Sequence, residues 1–150
     1  MTSGLEHDYQ NMADAMDLAK AGYGKTGKNP SVGCVIVDAA GGPLVSGATG
    51  EGGAPHAEEA ALAKLKAAGA AQGGTAYITL EPCRERSAGG MSCSERLLEA
   101  GIARIVCAIA DRHPKGAGGF VRLINSGVRV EIGLLKEEAE ALYSDFFKTI

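Results

Sequence analysis

The chain has 150 residues, of which 45% are hydrophobic and 22% are charged, and its formal net charge at pH 7 is -3. This length and apolar content indicate one domain, spanning residues 1–150, with a single core. The acidic balance argues against a broad nucleic-acid-binding surface. The first residues lack the basic and apolar regions of a signal peptide, and no apolar run reaches membrane length, so we expect a cytoplasmic protein without a membrane segment.

The first half of the chain predicts a helix, a hairpin and a second helix. Apolar residues recur at helical spacing over residues 5–22, which predicts an opening helix. Residues 31–38 are rich in β-branched side chains and predict a buried strand. Residues 43–48 return as the second strand of a hairpin after a turn that contains Gly and Pro. The run AEEAALAKLKAA, residues 57–68, predicts an Ala-rich helix.

The second half alternates strands with helices. We predict strands at residues 75–80, 103–111 and 128–133, and helices at residues 94–101, 119–127 and 136–147. Such alternation indicates an α/β fold of three layers, in which helices cover both faces of the sheet. The hairpin makes that sheet mixed, with about five strands, and we expect loops at one edge of it to carry the site.

Between residues 56 and 93 the sequence offers one imidazole, one carboxylate and two thiols. Four residues supply these groups: His56, Glu58, Cys83 and Cys93. One neutral nitrogen and two thiolates fill three tetrahedral positions of a zinc ion and leave the fourth for water, whose pKa the metal lowers. A carboxylate that does not bind the metal can then carry protons from the attacking oxygen to the leaving nitrogen. The set predicts one catalytic zinc per chain and hydrolytic removal of ammonia from an aminopyrimidine ring.

The spacing of His56 and Glu58 places them at the start of a helix. Side chains at i and i+2 do not face each other in the middle of a helix, so these two can converge only at a first turn. Pro55 precedes them and the Ala-rich run follows, which fits that position. Cys83 follows a predicted strand, and Cys93 directly precedes a predicted helix, where a thiol ionises more easily.

The chain has two further cysteines, Cys34 and Cys107, both inside apolar predicted strands. We interpret them as small buried side chains, and a chain with this much apolar core does not need disulfides. One alternative is a structural zinc site, in which His113, Cys34 or Cys107 acts as a fourth protein ligand. The position of Glu58 favours the catalytic interpretation, because a structural site gives that carboxylate no role.

Five blocks of the sequence resemble one known family. They are NPSVGCVIV, GGAPHAEEAAL, GGTAYITLEPC, LLEAGIARIVCAIAD and EEAEALYSDFF. They resemble the deaminase domain of the bifunctional riboflavin-biosynthesis pyrimidine deaminase/reductase, within the cytidine-deaminase superfamily, over roughly residues 11–147. The resemblance implies a cytidine-deaminase-like α/β/α fold without the family's reductase domain. It also implies, as substrate, the diaminohydroxyphosphoribosylaminopyrimidine intermediate of riboflavin biosynthesis.

The resemblance also implies roles for individual residues. A zinc site and a proton shuttle beside it would be formed by His56, Cys83, Cys93 and Glu58. Asn29 would hold the substrate base, and Ala57 would donate its backbone N–H to that base. Superfamily members generally form dimers or tetramers, so by analogy we expect a homodimer or a higher homo-oligomer.

Three departures from the family pattern fall near the expected substrate. The family's histidine between the second strand and the HAE motif is missing from ATGEGGAP. The loop between the site cysteines reads RERSAGGMS, one residue longer than usual and without the family's histidine, basic residue and Thr-Pro-Pro, and DRHP stands in place of DPNP. The zinc residues are unchanged. We therefore expect the reaction class to hold, with cytosine, cytidine or guanine as alternative substrates.

Cationic residues in these altered loops are candidate substrate contacts. Arg84 and Arg86 lie between the two site cysteines, where a guanidinium could bind a ribose phosphate by paired hydrogen bonds. The alternative, which the sequence leaves open, is that they are solvated charges balanced by Glu85. His113, in DRHP, is either a substrate contact or an exposed loop histidine.

The same zinc motif also occurs in enzymes that deaminate a base in tRNA or single-stranded DNA. Such enzymes need a cationic groove and aromatic side chains on which bases stack. This chain has an acidic balance, 5% aromatic residues and no tryptophan. The composition therefore favours a small-molecule substrate over a nucleic acid.

Overall fold

The computed structural model describes residues 4–67, 69–84, 90–112 and 117–149. Within these ranges α-helices and strands follow one another along the chain in the predicted order. In chain order they are α1 (Gly4–Ala21), β1 (Gly33–Val37), β2 (Pro43–Ala48), α2 (Ala57–Leu62), β3 (Thr75–Ile78), α3 (Cys93–Glu99), β4 (Arg104–Cys107), α4 (Gly119–Asn125), β5 (Arg129–Ile132) and α5 (Lys136–Phe147). The bounds of α1, β2 and α5 lie within one residue of the prediction.

Across the described ranges, the strands form one five-stranded sheet in the order β2-β1-β3-β4-β5. β1 runs antiparallel to both β2 and β3, whereas β3, β4 and β5 are parallel to one another. The predicted hairpin and the predicted mixed sheet are therefore confirmed. Ile78, Cys107 and Ile132 end the three parallel strands in register, and the chain that leads to Cys83 leaves the sheet at this edge.

Two glycines show that helices cover both faces of the sheet. A Cβ atom on Gly33 would lie 1.8 Å from the carbonyl oxygen of Ala15 in α1, and one on Gly47 would lie 2.5 Å from the amide nitrogen of Ala61 in α2. Gly47 pairs with Cys34, the neighbour of Gly33, and successive residues of a strand point to opposite faces. α1 and α2 therefore lie on opposite sides, each so close to the sheet that only glycine fits.

The other long helix, α5, lies on the same side as α1. The Tyr143 hydroxyl donates to the carbonyl oxygen of Ser31 at 2.7 Å and bonds the Thr79 hydroxyl at 2.6 Å. Lys20 and Glu138 join α1 to α5 by an ion pair of 3.0 Å. On the opposite side, α3 packs against α2, and α4 packs against α3. The predicted three-layer α/β/α arrangement is confirmed.

The core consists of apolar side chains from both layers of helices and from the sheet. Among the largest of the fully buried residues are Met12, Met16, Ile36, Ile78, Leu97, Ile105 and Leu123. Cys34 and Cys107 are fully buried in β1 and β4, as predicted. Burial of each large aliphatic side chain contributes about 1.5–3 kcal/mol, so the sheet forms a stable platform for the residues at its edge. Among the helices of the described ranges, none has the length and apolar character needed to span a bilayer.

Two elements end four or more residues earlier than predicted. α2 stops at Leu62 rather than at residue 68, because the N–H groups of Lys64 and Leu65 bond carbonyl oxygens three residues back, at 3.1 Å each, and so turn the chain. β4 stops at Cys107 rather than at residue 111, level with the ends of β3 and β5. The apolar residues that follow β4 are buried beyond the sheet, and their hydrophobicity alone does not extend the strand.

Candidate active site

Two helix starts and one strand end supply the residues of the predicted site. His56 is the residue immediately before α2, and Glu58 is the second residue of that helix, as their spacing predicts. Cys93 is the first residue of α3, and the preceding Ser92 caps this helix by accepting a backbone N–H of its first turn. Cys83 lies in the connection that leaves β3. Cys83 and Cys93 follow His56 by 27 and 37 positions in the sequence. The fold brings all three residues to one edge of the sheet.

The imidazole and both sulfurs converge on one point. Nδ1 of His56 lies 3.2 Å from Sγ of Cys93 and 3.8 Å from Sγ of Cys83. The three potential ligand atoms all lie within 4.8 Å of one another, and this is the one group of three or more such residues found in the described part of the chain. One nitrogen and two sulfurs match the donor set of catalytic zinc sites with three protein ligands. The residues present therefore fit a zinc ion.

The two thiols form an unequal pair. A hydrogen bond from the Cys93 side chain, together with contacts from His56, lowers the pKa of Cys83 to about 4. The same bond and burial raise the pKa of Cys93. The prediction that Cys93 ionises more easily at the start of a helix is therefore wrong, since the hydrogen bond with Cys83 and burial raise its pKa. The backbone N–H of Cys93 donates to the sulfur of Cys83, at 3.2 Å, and stabilises that thiolate. Zinc would bind both sulfurs as thiolates and displace the shared proton.

Glu58 is a buried carboxyl group beside the sulfur pair. It is only 4% exposed, and burial raises its pKa to about 7. The Cys93 side chain forms a hydrogen bond with this carboxyl group. A carboxyl group that titrates near neutrality can both accept and return a proton at pH 7. The geometry thus places a buried carboxyl group next to a cluster that could hold a metal ion and to which Glu58 does not itself belong.

The two residues expected to hold the substrate base adjoin the segment that carries His56. The side-chain amide nitrogen of Asn29 donates to the carbonyl oxygen of Gly53 at 2.9 Å, and the backbone carbonyl oxygen of Asn29 accepts from the Thr26 hydroxyl at 2.7 Å. Ala57 is buried as the first residue of α2, where backbone N–H groups have no partner within the helix. The side-chain oxygen of Asn29 and the N–H of Ala57 offer one acceptor and one donor.

The candidate substrate contacts in the altered loops are only partly described. Arg84 is exposed directly after Cys83, and its aliphatic stem lies close to Gly118, where an added Cβ would be 3.0 Å from Cδ of Arg84. Arg86 and His113 lie outside the described residues. The exposed position of Arg84 agrees both with phosphate binding and with a solvated charge, so its role stays a prediction.

The alternative of a structural zinc site needs a fourth protein ligand. Cys34 and Cys107 are fully buried in β1 and β4, and neither belongs to the cluster found in the described ranges. The third candidate, His113, lies outside those ranges. Two of the three candidates for a fourth zinc ligand, Cys34 and Cys107, therefore lie outside the cluster.

Three residues that support the site were not predicted. Glu81 is 6% exposed, and its carboxylate accepts three backbone N–H groups from the segment 111–120, at 3.0 to 3.1 Å. Arg122 donates to the Ser92 hydroxyl at 2.9 Å. Only Ser92 had a sequence signal, since Ser92 and Glu95 form the Ser-x-x-Glu pattern of a capping box. Glu81 and Arg122 act through contacts across about 30 residues of sequence, which no local pattern reveals.

Comparison with known proteins agrees with this site. The model of the cytidine and deoxycytidylate deaminase zinc-binding region matches residues 5–109, a range that includes the whole cluster and Glu58. The chain is 40% identical over 148 residues to the diaminohydroxyphosphoribosylamino-pyrimidine deaminase of Buchnera aphidicola subsp. Acyrthosiphon pisum, and the match covers 95% of each chain.

Longer proteins match this chain over part of their own length. The chain is 43% identical over 147 residues to the riboflavin biosynthesis protein RibD of Escherichia coli K12, a match that covers 94% of this chain but 38% of RibD. The solved structure of Acinetobacter baumannii RibD superposes with a TM-score of 0.88 at 40% identity, over 98% of this chain and 41% of that one. The chain thus spans less than half the length of these relatives. The predicted fold and the predicted family resemblance are confirmed.

Proposed function

Since the chain belongs to the cytidine and deoxycytidylate deaminase family, we propose that it hydrolytically deaminates diaminohydroxyphosphoribosylaminopyrimidine. The observation that carries this proposal is the convergence of one imidazole nitrogen and two sulfurs beside the buried carboxyl group of Glu58. The substrate is that of the Buchnera relative, which this chain matches over 95% of both lengths. The reaction consumes one water and releases one ammonia, and the ring carbon that carried the amino group becomes a carbonyl.

In this proposal His56, Cys83 and Cys93 hold one zinc ion. Zinc in such a site lowers the pKa of water toward neutrality and so supplies a nucleophile at pH 7. His56 binds through Nδ1, the atom that faces both sulfurs. Cys83, with its pKa lowered to about 4, offers a thiolate at neutral pH. The backbone N–H of Cys93 continues to donate to that sulfur and reduces its basicity.

Glu58 is the proton carrier of the proposal. It takes one proton from the water oxygen as that oxygen adds to the ring carbon, and it passes this proton to the adjacent ring nitrogen. It then takes the remaining hydroxyl proton and passes it to the exocyclic nitrogen, which leaves as ammonia while the carbonyl forms. Burial supports this task in two ways. It raises the pKa of Glu58 to about 7, so that both protonation states are accessible, and it keeps bulk water from exchanging the proton.

The substrate base lies between Asn29 and Ala57 in this proposal. Asn29 uses its amide nitrogen to hold Gly53, so its side-chain oxygen is the atom that accepts from the base. The N–H of Ala57 donates to the base from the first turn of α2. Arg84 binds the ribose phosphate, because a guanidinium beside the site can donate two parallel hydrogen bonds to phosphate oxygens.

Ammonia release from a substrate panel tests the proposal. The panel contains the phosphorylated intermediate, its dephosphorylated form, cytosine, cytidine and guanine, each with zinc-replete protein. We expect the highest kcat/KM for the phosphorylated intermediate, and a higher KM for its dephosphorylated form if Arg84 binds the phosphate. Turnover of only cytosine, cytidine or guanine would keep the reaction class but refute the substrate. Absence of ammonia release from every compound would refute the function.

We also propose that the protein forms a homodimer or a higher homo-oligomer. Two apolar side chains on the outer face of α4 support this, since Val121 is 60% exposed and Ile124 is 55% exposed. Sedimentation equilibrium of the purified protein distinguishes a monomer from an oligomer. A monomer at micromolar concentration would contradict the proposal.

A further inference from the structure

The guanidinium group of Arg122, on α4, connects the segments that carry the two cysteines. Its Nη1 atom lies within hydrogen-bond distance of four oxygen atoms. They are the carbonyl oxygen of Arg84 (3.1 Å), the hydroxyls of Ser92 (2.9 Å) and Ser94 (3.4 Å), and a carboxylate oxygen of Glu95 (2.9 Å). The first of these residues follows Cys83, and the other three surround Cys93. One side chain therefore contacts the chain next to both sulfurs.

α4 is held against the Cys83 segment by its own backbone. A Cβ atom on Gly119 would lie 1.7 Å from the carbonyl oxygen of Pro82, so only glycine allows the first turn of α4 to approach this closely. Gly118, in the left-handed region with φ 101°, turns the chain into that helix. The carboxylate of Glu81 accepts the N–H groups of Gly118 and Phe120 at 3.1 and 3.0 Å. The position of α4 is thus fixed on the residues just before Cys83.

Nine residues, Arg84 to Ser92, separate the two cysteines in the sequence. In a chain of that length sequence spacing alone does not set the distance between two sulfurs, and fixing that distance costs conformational entropy. Two backbone N–H groups also join the ends directly, from Cys93 to the Cys83 sulfur and from Ser94 to the Cys83 carbonyl oxygen, at 3.2 Å each. A donor that contacts both ends of the segment reduces this cost in advance, because the ligands are already in place when the ion arrives. Arg122 is such a donor, with one end of the segment bound through Arg84 and the other through Ser92.

We propose that Arg122 is a positioning residue, which acts together with the direct hydrogen bonds between the two cysteine segments and holds the sulfur pair ready for the metal. The inference rests on the proposed function, since it assumes that these two sulfurs bind the metal. Arg122 acts through hydrogen bonds to the neighbours of the cysteines and touches neither the ion nor the substrate. Removal of such supporting partners typically lowers metal affinity or activity by about 10- to 100-fold.

The test measures metal affinity rather than turnover. Parent protein and the variants Arg122→Gln and Arg122→Lys are titrated with Co²⁺ and Zn²⁺ against a competing chelator. Arg129→Gln is the matched control, since Arg129 is an exposed arginine on β5 that pairs with Glu131 at 3.4 Å. We expect Arg122→Gln to raise the metal Kd by about 10- to 100-fold, with an altered visible spectrum of the Co²⁺ form. Arg129→Gln should match the parent in both measurements.

Two further comparisons test whether Arg122 acts through its hydrogen bonds to the cysteine segments or through its charge. Glu95→Gln removes the ion pair with Arg122 but leaves the contacts of Arg122 with Arg84 and Ser92. We expect Glu95→Gln to bind metal like the parent. A loss equal to that of Arg122→Gln would assign the effect to charge and overturn the inference. Arg122→Lys keeps the charge but has one compact donor group, so it should show a smaller loss than Arg122→Gln, and it carries the test if Arg122→Gln fails to fold.

Failure of this inference differs from failure of the proposed function. A merely structural role would lower the melting temperature of folded Arg122→Gln while leaving its metal Kd and Co²⁺ spectrum equal to those of the parent, and that result would overturn the inference. A parent that binds zinc tightly but releases no ammonia from the panel would refute the proposed function alone. A parent that binds no metal would refute both.

Discussion

Two polar clusters lie at opposite ends of the parallel strands, and they are built differently. Where β4 begins, Arg104 donates to both carboxylate oxygens of Asp8, at 3.0 and 2.6 Å, and to Glu131 at 3.2 Å through Nε. The hydroxyl of Tyr77 donates to the same Asp8 carboxylate at 2.6 Å. The hydrogen bonds from Arg104 hold the pKa of Asp8 below its ordinary value. Arg129 also pairs with Glu131, at 3.4 Å, so two guanidinium groups balance the two carboxylates of this cluster.

The cluster at the other end of the strands is not matched in this way. Burial raises the pKa of Glu58, and the sulfurs of Cys83 and Cys93 share a hydrogen bond that moves their pKa values in opposite directions. The first cluster neutralises itself and stabilises the fold, whereas the second collects electron-pair donors that a divalent cation can bind. Perturbed groups gathered at one edge of a sheet are suited to chemistry, and the comparison therefore predicts different responses to mutation.

The largest effect is expected from Glu58. Replacement of Glu58 by Ala or Gln should lower kcat for deamination by about 10²- to 10⁴-fold, the range typical of a lost general acid–base group. Zinc content, measured by atomic emission, should remain that of the parent, because Glu58 does not belong to the metal-binding cluster. Glu137→Gln is the matched control, since Glu137 is the exposed second residue of α5 as Glu58 is the second residue of α2. Near-parental turnover of the Glu58 variants would refute the assigned shuttle.

The metal ligands should couple zinc content to stability. His56→Ala and Cys83→Ala are expected to lose zinc and, with it, the stabilisation that the ion gives, about 2.7 kcal/mol at a free zinc concentration near 100 times Kd. Chelator should lower the melting temperature of the parent and leave that of these variants unchanged. Cys93→Ala tests the third ligand in the same assay, and full zinc occupancy in it would mean that another group binds the ion. His7→Ala, at an exposed position in α1, serves as the control.

The local parts of this architecture were predictable from the sequence. The i, i+2 spacing of His56 and Glu58 allows convergence only at a helix start, and the structure places them there. The hairpin and α5 follow from turn residues and from helical periodicity, both of which are properties of short segments. The buried character of Cys34 and Cys107 follows in the same way from their apolar strands.

The parts that depend on distant contacts were not predictable. α2 ends early, at Leu62, because the chain turns there, and its Ala-rich sequence does not predict those turns. The unequal pKa values of Cys83 and Cys93 depend on a hydrogen bond between sulfurs ten residues apart. Arg122 is the one charged residue of the short helix α4, and its contacts with Ser92 are seen only once α4 is placed against α3.

A smaller effect, confined to stability, is expected from Asp8. Asp8→Asn removes the charge that pairs with Arg104 and should lower the free energy of unfolding by about 1.5–3 kcal/mol, the range for hydrogen bonds to charged groups. Zinc affinity and kcat should not change, since Asp8 lies at the opposite end of the parallel strands from Cys83. Urea denaturation gives the first quantity and chelator competition the second. Asp17→Asn, an exposed position on the same helix, is the control, and a loss of zinc in Asp8→Asn would contradict the separation of the two clusters.

The smallest expected effect is a pH dependence of the difference in unfolding free energy between the parent and Asp8→Asn. Hydrogen bonds from Arg104 and from Tyr77 lower the folded-state pKa of Asp8, with Arg129 adding to the shift and burial opposing it, so the carboxylate binds fewer protons in the folded than in the unfolded chain. Its stabilisation is therefore fully present above the unfolded-state pKa of about 3.9 and disappears as the pH falls through the lower folded-state value. The stability difference between parent and Asp8→Asn should be constant from pH 7 to 5 and shrink below about pH 4. Because the other ionisable groups are the same in both proteins, their contributions cancel from this difference. A stability difference that widens on acidification would contradict the assigned sign.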